Sequence, residues 1–190
     1  MPKLEKLFVM RIILPIFFAF SLLLFTRCGE EQHEPAAGQN GPVTTFYLIR
    51  HAEKDRSNPD DIDPELNQDG LGRAMHWAEI LNNVALDAIY TTDFERTSMT
   101  AAPASVKQDI TVQYYDPDTL NIDNFVRENL GKNVLVVGHS NTTPALVNKL
   151  IGEEKYAPMD DYDNGSLFIV QCIGNATTDI RLVFNCNCPD

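Results

Sequence analysis

Cysteine is scarce in this chain, and what there is forms no metal-binding pattern. The 190 residues include Cys28, Cys172, Cys186 and Cys188. There is no C-x-x-C, and none of the four His lies near Cys172, Cys186 or Cys188, so zinc is the weaker reading. In an oxidising compartment Cys172 could pair with Cys186 or with Cys188, leaving one thiol over, and the sequence does not choose. Basic residues are also few: 15 Lys and Arg stand against 27 Asp and Glu, a net charge of −12. Four of those 15 fall within residues 1–28, so the rest of the chain carries 11 basic and 26 acidic residues, a net of −15. Such a surface argues against nucleic acid as a partner. Any site for an anionic ligand must then be locally basic against the overall field.

A long apolar run is present, but it is short for a membrane span. Residues 12–25, "IILPIFFAFSLLLF", are 14 almost purely apolar positions, against the ~20 of a spanning helix. Lys3, Lys6 and Arg11 precede them as a basic flank, the order of a secretory signal. Cys28 then follows directly, which resembles a bacterial lipoprotein signal, where cleavage leaves an acylated cysteine. Arg27 departs from that pattern, which usually has a small residue there, and an uncleaved signal anchor is the alternative. The expectation is an exported domain, periplasmic or at the cell surface, held to the membrane. Residues 1–28 are then the signal. Residues 29–42, rich in Gln, Gly, Pro and Ala, are a flexible tether. One domain occupies 43–190.

In that domain no internal repeat is visible, and apolar runs alternate with helical patterns. "TTFYLIR" (44–50), "LDAIYTT" (86–92), "ITVQYY" (110–115) and "NVLVVGH" (133–139) are β-branched and aromatic runs of strand length. Between the first two, Leu71, Met75, Ala78 and Leu81 share a helical face, with Asn67 as N-cap. Thr92-x-x-Glu95 reads as a capping box for the next helix. Ile122, Phe125, Val126 and Leu130 share a face, and Gly131 is the C-cap. Pro144 suits the first turn of a helix that runs to Ile151 and stops at Gly152. "NGSLFIVQCI" and "TDIRLVFNC" read as an antiparallel pair, with Asn164-Gly165 as the turn ahead of it. The fold class expected is α/β: a three-layer sandwich with a mostly parallel central sheet, helices on both faces, and an antiparallel C-terminal pair of strands.

Functional residues in such a sheet belong at the carboxyl ends of the strands. Arg50 and His51 close the first strand, Arg96 follows the second, Asp116 and Asp118 follow the third, and His139 closes the fourth. Two Arg and two His at one edge make an anion pocket, because guanidinium forks match phosphate oxygens. Helix N-termini after the second and fourth strands add N–H groups and dipole. An imidazole can attack phosphorus, and a carboxyl group can protonate the leaving oxygen.

Three segments carry a resemblance to a known family. "LIRHAEK", "TTDFERTSMTA" and "VLVVGHSNT" resemble the signature segments of the histidine phosphatase superfamily, the phosphoglycerate mutase-like fold, over most of 44–151. "ELNQDG" (65–70) is similar to the family's Leu-Thr-x-x-Gly, with Asn67 in place of Thr. The resemblance implies that His51 becomes phosphorylated and that Arg50, Arg96 and His139 bind the phosphoryl group. Reaction with a small phosphorylated substrate or a phosphoprotein is then expected, with no cofactor and no metal. The proton donor departs from the family. Ser140 follows His139, where acid-phosphatase relatives carry Asp, and Asp116 or Asp118 stands where mutase relatives carry Glu. Asp116 is the choice, since it directly follows "VQYY". Small phosphohistidine phosphatases manage without a clear acid, and the short domain resembles that type. The alternatives are a mutase-like phosphotransferase and a catalytically silent surface lipoprotein that binds phosphorylated ligands.

Plainer readings stand beside these. Lys54 either gathers an anionic substrate or sits in a loop ion pair. Arg96 has a helix-surface pairing with Glu95 or Asp93 as its bland alternative. His76 reads as structural or solvated and Trp77 as packing. "GHSNT" partly resembles the elbow of serine hydrolases. Thr142 replaces the last Gly, however, and no His follows residue 139 to serve as base, so Ser140 is rejected as a nucleophile. "DDYDNG" (160–165) fails as a calcium loop, with Tyr162 at its third position and Gln171 at its twelfth. It reads as a solvated acidic turn. Residues 55–65 read as a polar loop that rims the substrate site.

Overall fold

The computed structural model describes residues 41–184. The signal, the acylation site Cys28, most of the tether and the cysteines Cys186 and Cys188 lie outside the described residues. Among the described residues no helix is long and apolar enough to cross a membrane.

The elements follow the apolar runs. They are β1 (Val43–Arg50), α1 (Gln68–Ile80), β2 (Ala88–Thr91), α2 (Glu95–Gln108), β3 (Val112–Tyr114), α3 (Ile122–Glu128), β4 (Asn133–Gly138), α4 (Thr142–Ile151), β5 (Ser166–Ile173) and β6 (Ala176–Val183). The six strands form one sheet in the order β3-β2-β4-β1-β5-β6. β1 runs parallel to β4, and β2 runs parallel to β3 and β4. β5 is antiparallel to β1 and β6. The expected α/β architecture with an antiparallel C-terminal pair is therefore the observed one.

Period-2 alternation sends neighbouring residues of one strand into different layers. Phe46 and Leu48 of β1, with Val134 and Val136 of β4, pack against Phe125 of α3 and Leu146 and Val147 of α4. Ile49, Leu135 and Val137 face the other way, onto Trp77 of α1 and Ala101 and Ala104 of α2. Each large side chain fully buried in this way contributes roughly 1.5–3 kcal/mol relative to exposure.

Three local expectations are corrected. Ala78 and Leu81 are buried as expected, but Leu71 and Met75 are exposed, and Gly70, Ala74 and Trp77 are buried in their stead. The indole is the largest apolar body on the helix, and burying it turns the face away from the Leu71–Met75 stripe. Thr92 does not cap α2. The N-cap is Phe94, without a side-chain bond, and the carboxylate of Asp63 accepts from the Glu95 N–H in its place. Finally, α3 ends at Asn129, with Leu130 exposed and Gly131 beyond the cap at φ 76°. Two caps are as expected: Asn67 Oδ1 accepts from Gly70 N at 2.8 Å, and Gly152 ends α4 in the left-handed region.

Cys172 is a free, buried cysteine. It pairs in register with Thr177, while the chain leaves β6 at the opposite end, where Phe184 N bonds to Gly165 O. The pairing of Cys172 with Cys186 or Cys188 that the sequence allows involves residues outside the described ones.

Candidate active site

The sheet order puts β4 between β1 and β2, so Arg50, His51, His139 and the start of α2 meet at one carboxyl edge. The His51 backbone is fixed on both sides: its N–H donates to Gly138 O at 2.9 Å, and its carbonyl accepts from Asn164 Nδ2 at 2.8 Å. The next N–H, of Ala52, donates to Thr100 Oγ1 on α2 at 2.9 Å.

The ring of His51 is 3% exposed and lies 2.7 Å, through Nδ1, from the carbonyl oxygen of Ala52. A carbonyl can only accept, so Nδ1 carries the proton and Nε2 of the neutral ring carries the lone pair. Burial pushes the His51 pKa down to about 3, and the nearby charges of Arg50, His139 and Arg96 add to this. The ring is neutral at pH 7. Nearby cations lower its pKa, but burial is the larger cause.

His139 meets His51 edge-on, with ring centroids 5.5 Å apart. Its Nδ1 lies 3.5 Å from Arg96 Nη2, and its Nε2 lies 2.8 Å from Thr92 Oγ1. Arg can only donate, so Nδ1 is the acceptor and Nε2–H donates to Thr92. The Thr92 hydroxyl passes its own hydrogen to Thr97 Oγ1 at 3.2 Å. Burial first, then Arg96, Arg50 and Lys54, lowers the His139 pKa to about 4. In the free protein His139 is thus neutral, not the charged partner that a pair of histidines would suggest.

Both guanidinium groups hold a carboxylate from a loop. Arg50 is 1% exposed. It donates to Asp161 Oδ1 at 2.6 Å and to the carbonyls of Asp160 at 2.9 Å and Asp163 at 3.5 Å. Arg96 donates to Asp63 Oδ1 at 3.1 Å and stacks over the Phe94 ring at 4.3 Å. Neither partner of Arg96 is Glu95 or Asp93, the surface pairing weighed from the sequence. The Nε of each Arg is buried and has no hydrogen-bond partner among the described residues. The 160–163 turn is therefore no solvated bystander, because it supplies three acceptors to the most deeply buried cation of the site. Asp63 lies in the 55–65 loop, which does rim this edge.

Other expected residues sit differently. Asp116 is exposed, and its carboxylate accepts from Asp118 N at 2.9 Å and Thr119 Oγ1 at 3.1 Å in its own turn. No hydrogen bond or ion pair joins Asp116 or Asp118 to the two His or the two Arg. Tyr115, one residue earlier, is buried, its hydroxyl beside Gly138, and burial pushes its pKa up. Glu53 is gripped by Arg73 at 2.6–2.9 Å. The charge of Lys54 reaches His139. His76 is exposed, and Trp77 is packed in the core.

This geometry can be set beside known proteins. The family profile of the histidine phosphatase superfamily (branch 1) matches residues 46–117. No curated protein matches the chain in sequence. Among solved structures it is similar to the putative phosphohistidine phosphatase SixA from Agrobacterium tumefaciens, at 20% identity and a TM-score of 0.55, over 74% of this chain and 99% of that one. A putative alpha-ribazole-5'-P phosphatase from Escherichia coli K-12 is similar at 18% identity and a TM-score of 0.58, over 74% and 96%. The protein histidine phosphatase SixA complexed with tungstate has 14% identity and a TM-score of 0.60, over 73% and 96%. At these identities the likeness is one of fold.

Proposed function

We propose that this chain, which belongs to the histidine phosphatase superfamily, is a phosphatase that hydrolyses its substrate through a phosphohistidine on His51. The observation that carries this reading is the tautomer of His51. With Nδ1–H held by Ala52 O, the lone pair of Nε2 is available inside a pocket that also contains Arg50, Arg96 and His139.

In the first step Nε2 attacks phosphorus, the N–P bond forms, and the bond to the leaving group breaks. The positive charge that develops on the imidazole is met by the Ala52 carbonyl. Charge on the equatorial phosphoryl oxygens is met by the guanidinium groups and by His139. The incoming negative charge opposes the cations that depress the His139 pKa, so this ring gains proton affinity as substrate binds. Water then attacks phosphorus, the N–P bond breaks, and phosphate leaves.

The substrate class follows from the acids. Asp63 and Asp161 are ion-paired to the Arg groups, Glu53 is ion-paired to Arg73, and Asp116 faces its own turn. This supports a leaving group that needs little protonation, such as an N-phosphorylated imidazole or an aryl phosphate, over an alkyl ester.

The test is turnover of phosphoimidazole, aryl phosphate and alkyl phosphate by the full chain, with and without EDTA, beside His51→Ala and Asp116→Asn. Loss of at least about a thousandfold is expected for His51→Ala, with EDTA and Asp116→Asn nearly without effect. Activity that survives His51→Ala sinks the nucleophile. Selective loss of alkyl-ester turnover in Asp116→Asn restores that residue as donor.

We further propose that the domain acts outside the cytoplasm, anchored through Cys28. The basic flank and the apolar run ahead of that cysteine support this. Labelling with a radioactive fatty acid, lost in Cys28→Ser, is the expected result.

A further inference from the structure

We propose that Asp161 is an internal competitor for the phosphoryl group, holding Arg50 in the free protein and yielding it when phosphate arrives. The inference rests on the phosphatase reading and adds to it a residue that sets phosphate affinity and release.

The two oxygens of Asp161 serve different cations. Oδ1 lies 2.6 Å from Nη2 of the buried Arg50, and Oδ2 lies 2.7 Å from Nη1 of Arg56. A buried guanidinium needs a counter-charge, and in the free protein this carboxylate supplies it. A phosphoryl oxygen makes the same charge-assisted contact. Asp161 and a phosphoryl oxygen are thus rival anionic partners for the same guanidinium.

Exchange is easy for Asp161. Its side chain is 55% exposed, so water receives the oxygen that leaves Arg50. It keeps Arg56, whose guanidinium also donates to the Asp161 carbonyl at 3.0 Å and stacks on Tyr162 at 4.8 Å. The turn itself is pinned at both ends: Met159 N donates to Ser140 O at 2.8 Å, and Asn164 Nδ2 donates to His51 O at 2.8 Å. A side-chain rotation suffices, and the carbonyls of Asp160 and Asp163 stay on Arg50.

Asp63, the carboxylate on Arg96, differs. It also accepts from Glu95 N at the start of α2, so leaving Arg96 would compromise a helix cap. Of the two loop acids, Asp161 is the one free to be displaced. After hydrolysis it returns to Arg50, and phosphate loses a ligand. Its chemical effect is to weaken product binding and to speed release.

The experiment measures the inhibition constant of inorganic phosphate for the full chain turning over an aryl phosphate. The variants are Asp161→Asn, Asp161→Ala, Asp161→Glu and Asp60→Asn. Removing the competing charge is expected to tighten phosphate about tenfold in the Asn and Ala variants, the scale of one charge-assisted hydrogen bond. Their KM and kcat fall together as release slows. Asp161→Glu stays near wild type. Asp60→Asn, which removes an equal charge from the exposed rim, shifts the constant less than about twofold. Phosphate bound by Asp161→Asn no more tightly than by Asp60→Asn overturns the proposal. If wild type turns over and is inhibited by phosphate while the Asp161 variants match it, only this inference falls. If wild type shows neither turnover nor inhibition, the phosphatase reading falls and takes this one with it.

Discussion

Thr92 Oγ1 stands 2.8 Å from Nε2 of His139 and hands its own hydrogen to Thr97. Thr92 thereby accepts the Nε2–H of His139, while Arg96 holds Nδ1 as the acceptor. Thr92→Val keeps the shape and removes the acceptor, leaving a half-buried N–H without a partner, at a cost of about 1–3 kcal/mol. Turnover is expected to fall about tenfold in kcat with little change in KM, and Thr92→Ser is expected to restore it. Two-dimensional NMR of the His139 ring is expected to show Nδ1 unprotonated in wild type and Thr92→Val alike, because Arg96 still faces it; an unchanged kcat in Thr92→Val counts against the role of Thr92.

The two site histidines also govern acid stability. Both have folded pKa values, about 3 for His51 and about 4 for His139, below the unfolded value of 6.5. For such groups the unfolded chain binds more protons in the window between, so stability is complete above pH 6.5 and is lost as pH falls toward 4 and 3. Each contributes a slope of about 1.4 kcal/mol per pH unit in that window. Urea unfolding between pH 7 and pH 4.5 should be less steeply pH-dependent in His139→Gln than in wild type. By the same values, kcat/KM of the free enzyme shows no acid limb near pH 6.5, and its limb appears only below pH 5.

Two glycines of α1 make opposite predictions. A Cβ at Gly70 would stand 2.1 Å from the carbonyl oxygen of Glu53, whereas a Cβ at Gly72 meets nothing within 4 Å. Gly70→Ala should push the loop after His51 away from α1 and destabilise by roughly 1–3 kcal/mol. Gly72→Ala should stabilise by about 0.5–1 kcal/mol through helix propensity. Thermal melts of the two variants decide, and similar signs for both would refute the close approach.

Cys172 should remain a thiol. It is buried, and desolvation pushes its pKa up. Alkylation of the native protein is expected to spare Cys172 until denaturant is added. Rapid alkylation of Cys172 in the native protein would contradict this burial.

What was legible in the sequence was what repeats locally or sits at a strand end. Alternating apolar runs located the parallel strands and β5. Arg50, His51 and His139 were recognisable because each closes or directly follows such a run, and Arg96 because it lies in the first turn of the helix after one. The details that failed depend on distant partners. Thr92 looked like a helix cap, but His139, 47 residues later, takes its hydroxyl. Asp161 sat in what read as a solvated turn, and its partner Arg50 lies 111 residues earlier. Asp116 was chosen for following a strand, yet its short side chain is satisfied two and three residues on, a choice common to Asp in turns. The stripe Leu71–Met75 had the right period, and only competition with Trp77 for the core shows why it faces out.

The antiparallel placing of β5 beside β1 has a consequence for synthesis. A chain made from its N-terminus completes β1, β2 and β4 and already contains Arg50, His51, Arg96 and His139. At that stage one edge of β1 has no neighbour, and the guanidinium of Arg50 lacks every acceptor it later holds, since Asp160, Asp161 and Asp163 are still to come. The reactive residues are thus present before their cradle is. A nascent chain that stops near residue 158 would carry the recognisable motifs in an unfinished sheet, and competence would arrive with the last two strands.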